Sequence, residues 1–408
     1  MNINPDKAKF YTVAVLNMII GGKLSFDKAF SDVVRRYRVP PREAKALYKL
    51  LYKVLIYYHT IKFLANYHGF KHRVTGIVDY LYTKGFEVDR VYEEASTLAS
   101  SLSPVMRISL LYGYPSWFVR DLYGKMPTAE LERMLKSLNE KKRWLRVNTE
   151  KTSLERALEC LDKTGLRVKV HPEIQELLLV EDPFEKIGLN PCVREGLVIP
   201  QDISSLIATR LLVDIAGDFI DACSAPGVKL LQVLTERRPR RVLAIDLSVK
   251  RLGTLLTILS VFYSRAPQVV VVNADSSTIS LNVQSPIILV DAPCSNSGAV
   301  YSDPAVKIHM TRKTIWRHSV VQRRILKNML RHGGKVFFMT CSVHPAEGEE
   351  LIDDILNTIG NRVEIVEIKE TRYVKRGYAG YRYSNYYRRI YPQDVNGQGF
   401  FIAVMEAS

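Results

Sequence analysis

Residues 218–229 read DFIDACSAPGVK and contain the pattern that decides the fold. The apolar run that ends at Asp221 is typical of a buried strand, and it leads into a turn of small residues around Gly227. The spacing of apolar residues over 228–234 then favours a helix. A strand that passes through a short turn into a helix predicts the first half of a βαβ unit.

The same alternation continues toward the end of the chain. Further strands are predicted at 242–245, 269–272, 287–290 and 335–339, with helices at 252–263 and 316–330. Strands that alternate with helices imply crossover connections and a mainly parallel sheet. We therefore predict an α/β, doubly wound domain over residues 201–408. Its ligands should bind outside the carboxyl ends of the strands.

The ends of the first three predicted strands carry residues suited to a nucleoside-bearing cofactor. The turn around Gly227 lets a backbone approach a ligand closely, and the following helix directs its N–H groups and positive dipole end toward it. Asp246, which ends the second strand, could accept the hydroxyls of a ribose. Asp275 follows the third strand, where it could contact an adenine amino group. This set favours a cofactor site over a run of helix caps.

Two of the five cysteines follow predicted strands. Cys294 comes shortly after the strand predicted at 287–290 and after Asp291. Cys341 is separated from the strand predicted at 335–339 by Thr340 alone. Buried cysteines are frequent in cores, but polar neighbours at the predicted ligand edge favour reactive thiols here. The cysteines form no CxxC pair and no Cys/His cluster with metal spacing, and their odd number and long separations argue against a disulfide framework. We expect neither zinc nor such a framework.

Upstream of residue 201 the patterns change twice. Residues 1–110 have helical spacing, with predicted apolar faces at Phe10, Val13, Ala14, Asn17 and Met18 and at Leu47, Leu50, Leu51, Val54 and Leu55. A helical linker is predicted over 111–140, mostly as one segment from 116 to 140. Over 141–200, strands at 144–148, 166–170 and 197–199 surround a helix at 153–163, which predicts a small α+β unit.

The charge balance indicates which kinds of partner the protein can bind. Lys and Arg total 58 against 42 acidic residues, which gives a net charge of +16 and a pI near 9.5. Such an excess attracts polyanions such as nucleic acids, although it could also serve solubility. No apolar run approaches the roughly 20 residues that a membrane span needs. We expect a cytoplasmic protein that binds no membrane and no metal.

A series of motifs in fixed order points to a known family. They are WLRVN (144–148), QDISS (201–205), APG (225–227), Asp246, Asp275, DAPCS (291–295), QR (322–323), TCS (340–342), EGEE (347–350) and GFF (399–401). This combination, with DAPCS and TCS its most specific part, resembles the RsmB/Sun/NSUN family of RNA cytosine-5 methyltransferases over residues 110–408. The resemblance implies a Rossmann-like methyltransferase sheet after a small RRM-like unit. Val228 departs from the pattern, because the family has a second glycine there, and it narrows the cofactor loop.

The resemblance also implies roles for individual residues. The cofactor would be S-adenosylmethionine, bound by Cys223, Ser224, Ala225, Pro226, Gly227, Val228, Lys229, Asp246, Arg251, Asp275 and Asp291. Cys341 would attack carbon 6 of cytosine, which makes carbon 5 nucleophilic. Asp291 would hold the base at N3 and its amino group, and Lys229 would hold the base or Asp291. Cys294 would assist loss of the carbon-5 proton and release of the enzyme.

The implied partner is RNA, bound by a monomer. Residues 1–110 resemble a NusB-like helical RNA-binding domain through PREAKALYKLLYKVL (41–55), which favours ribosomal RNA and leaves tRNA open. A methyltransferase for amino groups would need an Asn/Asp-Pro-Pro-Tyr/Phe clamp, which DAPC replaces. A non-catalytic RNA-binding or assembly protein with this fold is the other alternative.

Residues 372–391 interleave tyrosines with basic side chains. The tyrosines are 373, 378, 381, 383, 386, 387 and 391, and the basic residues are Arg372, Lys375, Arg376, Arg382, Arg388 and Arg389. Flat rings beside cations suit single-stranded RNA. A surface loop whose tyrosines pack locally is an equal alternative.

Overall fold

The computed structural model describes residues 3–212, 215, 217–263, 269–283, 286–359 and 362–407. The chain forms two compact units, one of Met1–Glu140 with Ala299–Thr314 and one of Lys141–Gly298 with Ile315–Ser408. Within the described residues, no helix combines the length and the apolar character that crossing a bilayer requires.

The first unit is helical. Its elements are α1 (Pro5–Gly22), α2 (Phe26–Arg36), α3 (Pro41–Ile56), α4 (Tyr58–Tyr67), α5 (Val74–Thr83), α6 (Val88–Ala99), α7 (Pro104–Tyr112), α8 (Ser116–Leu122) and α9 (Thr128–Asn139). The local sequence determines where some of these helices begin. The Asn4 side chain accepts hydrogen bonds from the first backbone N–H groups of α1, and Ser25 does the same for α2. The single segment predicted over 116–140 is wrong. The chain breaks between α8 and α9, where Gly124 has a φ of +82° and Pro127 precedes the new helix.

The predicted apolar face of α1 is also wrong, whereas that of α3 is confirmed. The side chains that α1 buries are Ala8, Thr12, Val15, Leu16 and Ile19. Phe10 is 51% exposed, and its ring lies 4.9 Å from that of Tyr37. Because α1 is apolar on more than one side, periodicity alone could not select the buried face. In α3 all five predicted residues are buried.

The second unit begins with a small antiparallel sheet. Its elements are β1 (Trp144–Val147), α10 (Leu154–Lys163), β2 (Val168–Val170), β3 (Leu177–Val180), a 3-10 turn (Ile187–Leu189), α11 (Pro191–Arg194) and β4 (Val198–Pro200). The strand order is β2-β3-β1-β4. Apolar residues of β1, β3 and α10, such as Leu145, Leu178 and Leu161, form its core.

A disulfide joins α10 to α11. Cys160 and Cys192 are bonded, with their Cα atoms 6.0 Å apart. The prediction against disulfides is therefore wrong for this pair. Sequence separation misled it, because the 31 intervening residues fold back and bring the two helices together.

The remaining elements form the α/β domain. They are α12 (Ile203–Arg210), β5 (Asp218–Asp221), α13 (Val228–Glu236), β6 (Arg241–Asp246), α14 (Val249–Phe262), β7 (Val269–Asn273), β8 (Ile287–Asp291), α16 (Arg312–Leu330), β9 (Gly334–Thr340), a 3-10 turn (Pro345–Glu347), α17 (Glu349–Ile359), β10 (Val363–Val366), β11 (Lys375–Arg376), β12 (Arg388–Ile390), α18 (Pro392–Val395) and β13 (Phe400–Ala407). The short helix α15 (Val306–His309) follows β8 in the chain but belongs to the helical unit. The strand order is β11-β12-β13-β9-β8-β5-β6-β7, and β10 also pairs with β13. The predicted doubly wound α/β class is confirmed.

The sheet gathers its strand ends at one edge. Strands β7, β6, β5, β8 and β9 are parallel, with Asp221 opposite Leu289 and Asp291 opposite Met339. Strand β13 is antiparallel to β9 and places Phe401 opposite Thr340. The residues that follow β5, β6, β8 and β9 therefore lie side by side, as the alternation of strands and helices predicts.

Residues 299–314, which include α15, complete the helical unit instead of the sheet domain. Lys307 is fully buried there and donates hydrogen bonds of 2.7 Å to the carbonyl oxygens of Ile56 and Tyr112. Its ammonium lies 3.7 Å from the ring centre of Tyr114. Burial lowers the pKa of Lys307 well below its ordinary value. The boundary at residue 201 does not anticipate this insertion.

The tyrosine- and arginine-rich segment 372–391 is partly core. Arg389 and Glu349 form a bidentate ion pair of 2.6–2.7 Å and are 1% and 0% exposed. Burial would lower the pKa of Arg389, but the Glu349 carboxylate raises it above its ordinary value. Tyr378 lies against the Arg389 guanidinium, and Tyr387 is also buried. These buried residues support the sheet, so local packing explains the tyrosines and arginines of the segment that are buried.

Removing one member of this buried pair should be costly. We expect Arg389→Met to lower the free energy of unfolding by about 3–5 kcal/mol, because Glu349 would keep a buried charge without its partner. The control is Arg376→Met, which removes an exposed pair with Glu370 and should cost less than about 1 kcal/mol. Urea unfolding of both variants measures the difference. Equal stabilities would contradict the account.

Candidate active site

Two adjoining cavities lie at the carboxyl edge of the parallel strands. The larger has a volume of about 630 Å³, which is within the range of small-molecule sites. The smaller, of about 220 Å³, borders the turn from Cys223 to Val228. Both are lined by Cys223, Lys229 and Asp291, so the two form one continuous candidate site.

An ammonium–carboxylate pair occupies the junction of the cavities. Lys229, in the first turn of α13, donates a 2.6 Å hydrogen bond to Asp291 at the end of β8. Burial would lower the pKa of Lys229, but the charge of Asp291 and this hydrogen bond raise it above its ordinary value. Lys229 therefore stays cationic and fixes the direction of the Asp291 carboxylate. Its ammonium also lies 5.3 Å from the ring centre of Phe400.

A second carboxyl group lies in the wall of the smaller cavity. Asp221 is 1% exposed, and its Oδ1 accepts a 3.4 Å hydrogen bond from the backbone N–H of Cys223. Burial, with the negative charge of Asp291, raises the pKa of Asp221 to about 8. Burial and the charge of Asp221 likewise raise the pKa of the Cys223 thiol well above its ordinary value. Near neutral pH, Asp221 thus carries a proton beside Asp291.

The two predicted reactive thiols are in contact. The Sγ atoms of Cys294 and Cys341 are 3.0 Å apart, and both border the larger cavity. The side-chain oxygen of Asn296 accepts from Cys341 at 2.9 Å and from Cys294 at 3.6 Å. The hydrogen bond with Cys341, reinforced by burial, raises the pKa of Cys294 well above its ordinary value. Cys294 therefore keeps its proton near neutral pH.

The carboxylate of Glu347 ties the two cysteine loops together. It accepts hydrogen bonds from the backbone N–H of Ser295 at 2.8 Å and from the hydroxyls of Ser295 and Ser342 at 2.5 and 2.7 Å. Gln322 of α16 adds a fourth donor at 3.1 Å. Glu347 is fully buried, so all its acceptor capacity is used within the protein. Ser295 follows Cys294 and Ser342 follows Cys341, so this one group fixes both thiols.

The predicted cofactor residues line the other side of the site. Asp246 is 4% exposed and accepts from the backbone N–H groups of Ala225 and Ser248 at 3.2 and 2.9 Å. Arg251 pairs with Asp246 at 3.4 Å and also hydrogen-bonds the Ala225 carbonyl. Asp275 borders the larger cavity beyond Asp246.

The predicted site residues divide between the cavities. Ser224, Ala225, Pro226, Gly227 and Val228 border the smaller cavity, and Asp246, Arg251, Asp275, Cys294 and Cys341 border the larger. Asp221, Asn296 and Glu347 were missed as site residues. Two signals were available: Asn296 follows DAPCS at once, and Glu347 begins the EGEE motif.

The bonding of Glu347 leads to a prediction about the thiols. Glu347→Gln should lower the free energy of unfolding by about 2–3 kcal/mol, because hydrogen bonds to a charged group are replaced. A mild oxidant should link Cys294 to Cys341 readily in the parent and more slowly in this variant, as the loops separate. Glu350→Gln is the control, since Glu350 is exposed. Mass spectrometry of the cross-link and urea unfolding measure both effects. Unchanged values would show that Glu347 positions neither loop.

The raised pKa of Asp221 predicts a pH effect on stability. The folded state holds this proton up to about pH 8, whereas an unfolded aspartate loses it near its ordinary pKa of about 4. The stabilisation is therefore complete below the unfolded pKa and is lost as pH rises through the folded one. Asp221→Asn should remove this loss. Its stability relative to the parent should increase from pH 5 to 8, by at most about 1.4 kcal/mol per pH unit.

Thermal unfolding across this pH range measures the effect. Asp162→Asn, at an exposed position on α10, is the control for removal of one acidic group. If the difference between Asp221→Asn and the parent stayed constant from pH 5 to 8, the carboxyl would not hold its proton in the folded state.

Comparison with known proteins agrees with this architecture. A family model described as 16S rRNA methyltransferase RsmB/F matches residues 211–406, and one described as the ferredoxin-like domain of RsmF/B-like methyltransferases matches residues 114–185. The ribosomal RNA small subunit methyltransferase B of Erwinia tasmaniensis is 27% identical over 300 residues. That alignment covers 72% of this chain and 66% of the relative, so the chain spans just under two thirds of its length.

Two solved structures are also similar. PH0851 has a TM-score of 0.77 at 20% identity and covers 100% of this chain and 99% of its own, which shows a shared fold. A methyltransferase homologue from Pyrococcus horikoshii has a TM-score of 0.60 at 28% identity, over 75% of this chain and all of its own. The resemblance found in the motifs is thereby confirmed. The two family models describe parts of the same enzymes and together match most of the chain. Over residues 114–185 and 211–406 the chain is similar to the RsmB/F methyltransferases.

Proposed function

We propose that this protein transfers a methyl group from S-adenosylmethionine to carbon 5 of a cytosine in RNA, with Cys341 forming a covalent adduct. The observation that carries the proposal is the contact between the Cys294 and Cys341 thiols, 3.0 Å apart, at a cavity that also holds the Lys229–Asp291 pair. Two thiols beside a fixed carboxylate suit addition to a pyrimidine ring. The amino-group clamp of the rival methyltransferases is replaced by DAPC.

The chemistry of the donor set fits S-adenosylmethionine. Asp246 and Asp275 supply carboxylates for a ribose and an adenine amino group, and the backbone before α13 supplies N–H groups at a helix start. The cavity of about 630 Å³ has room for a nucleoside and a base together. When bound, this cofactor supplies an electrophilic methyl group. The names of the RsmB/F model and of the Erwinia relative support the assignment.

The two thiols can divide the work because their surroundings differ. The hydrogen bond with Cys341 and burial raise the pKa of Cys294 and disfavour its thiolate, so we assign the attack on carbon 6 of the ring to Cys341. Attack forms a carbon–sulfur bond and moves electron density to carbon 5, which splits one difficult step into two easier ones. After methyl transfer a base takes the proton from carbon 5, the C–H electron pair restores the ring double bond, and the Cys341 sulfur leaves with the electrons of the carbon–sulfur bond. We assign Cys294 to this second stage, because its sulfur is next to Cys341.

Asp291 is assigned to the base itself. Its carboxylate is fixed by Lys229 at 2.6 Å and faces the cavity, where it can hydrogen-bond the amino group and N3 of cytosine. The buried, protonated Asp221 beside it lowers the negative charge of this corner of the pocket. A cytosine must leave its stack to reach these groups, at a cost of a few kcal/mol that is least in single strands.

Ribosomal RNA is the substrate class we favour over tRNA. The matched model is described for 16S rRNA, and the Erwinia relative is named for the small ribosomal subunit. The net charge of +16 suits an RNA partner. We further propose that the helical unit that begins the chain contributes to RNA binding as a NusB-like domain, and that the protein acts as a monomer.

Substitution of each thiol tests the mechanism. Cys341→Ala should abolish methyl transfer and all covalent RNA adducts, because the attacking sulfur is gone. Cys294→Ala should retain attack and slow release, so that protein and RNA migrate as one band in denaturing gels. Cys223→Ala is the comparison variant: this third thiol lines both cavities on the cofactor side, so its loss should leave the covalent RNA adduct in place. Substantial methyl transfer by Cys341→Ala would exclude the proposed covalent mechanism.

A further inference from the structure

One face of α16 is exposed and runs outward from the larger cavity. Val321 and Arg324 line that cavity, together with Cys294 and Cys341. Trp316 and Arg317 lie eight and seven residues before Arg324, a spacing that puts all four on one side of a helix. We call these four side chains the α16 face. Eight residues of helix span about 12 Å, so the face extends beyond the rim by roughly that distance.

The composition of the α16 face is unusual for a solvent-exposed helix. Trp316 is 64% exposed and Val321 is 42% exposed. Arg317 and Arg324 are exposed, and within the described part of the chain neither forms a salt bridge. The neighbouring Arg323 differs, because it pairs with Asp354 of α17. The face thus presents an exposed indole ring beside two cations that form no salt bridge with the described acidic residues.

We propose that the α16 face binds the RNA nucleotides next to the target cytosine. Trp316 stacks on a neighbouring base, and Arg317 and Arg324 contact the backbone phosphates. The inference rests on the proposed RNA substrate and adds the path by which the strand leaves the cavity. Aromatic rings beside cations suit single-stranded RNA, since every base has a face to stack and every linkage a charge.

Because the α16 face begins at the rim of the cavity, stacking on it can help the target base to leave its stack. When the target base turns into the cavity, the adjacent base loses a stacking partner. The ring of Trp316, within about 12 Å of Arg324 at the rim, can replace that partner. Stacking there offsets part of the cost of extruding the cytosine. Because stacking tolerates any base, the α16 face should contribute affinity more than sequence preference.

The test measures binding of a short, fluorescein-labelled, single-stranded RNA that contains one cytosine, by fluorescence anisotropy. Trp316→Ala should weaken binding by about tenfold, as expected for one lost stacked base, and Trp316→Tyr should restore most of it. Leu256→Ala is the control, because Leu256 is an apolar side chain of comparable exposure, at 53%, but lies on α14 of the sheet domain. Equal melting temperatures of the variants will show that the fold is intact.

The contribution of Arg317 and Arg324 is measured separately, by the salt dependence of RNA binding. Replacing Arg317 and Arg324 by Gln should lower the slope of log affinity against log salt by about 1.4, since each phosphate contact contributes about 0.7 for single strands. The control Arg331→Gln removes an exposed charge just beyond the end of α16 and should leave the slope unchanged. RNA should quench the tryptophan fluorescence of the parent and of Trp117→Phe, but much less that of Trp316→Tyr.

The outcomes separate the inference from the proposed function. If the parent transfers methyl groups to RNA while Trp316→Ala binds as tightly as the parent and as Leu256→Ala, the inference is overturned and the function stands. If the parent neither binds RNA nor methylates it, the proposed function fails and the inference with it. Weaker binding by Trp316→Ala, rescued by tyrosine, supports the α16 face.

Discussion

A fully buried carboxylate with four hydrogen-bond donors holds the centre of this site together. Glu347 joins the loop after β8 to the loop after β9, and the two sulfur atoms meet only because those loops do. The pair Glu349–Arg389 also supports the loop after β9, because Arg389 donates a 3.0 Å hydrogen bond to the Ser342 carbonyl oxygen. Antiparallel strand β13 fixes β9 along its length. Thiol contact is therefore a consequence of sheet pairing and buried polar bonding.

Electrostatics around that centre are arranged in two parts. On one side Lys229 keeps its charge and directs Asp291, while Asp221 keeps its proton because burial raises its pKa to about 8. On the other side the hydrogen bond with Cys341 and burial raise the pKa of Cys294, so this thiol keeps its proton near neutral pH. Both arrangements depend on burial, because neighbouring charges have larger effects there than in bulk water.

Much of the sheet domain could be predicted because its strands are short apolar runs and its reactive residues follow them directly. Cys294, Cys341, Asp246 and Asp291 are found in this way. Glu347 and Asn296 could not be assigned a role, since their partners come from another loop. Likewise, no local pattern shows that residues 299–314 join the helices or that Cys160 meets Cys192. Tertiary contacts determine these features, whereas the periodicity of a sequence indicates only local secondary structure.

The central claim is that this chain methylates carbon 5 of a cytosine in RNA. Bisulfite sequencing of total RNA from cells with and without the gene tests it most directly, because 5-methylcytosine resists conversion and unmodified cytosine does not. The account predicts a cytosine, expected in small-subunit ribosomal RNA, that is protected when the gene is present and converted when it is absent. Reintroducing the intact gene should restore protection. Identical conversion at every cytosine in both strains would contradict the account.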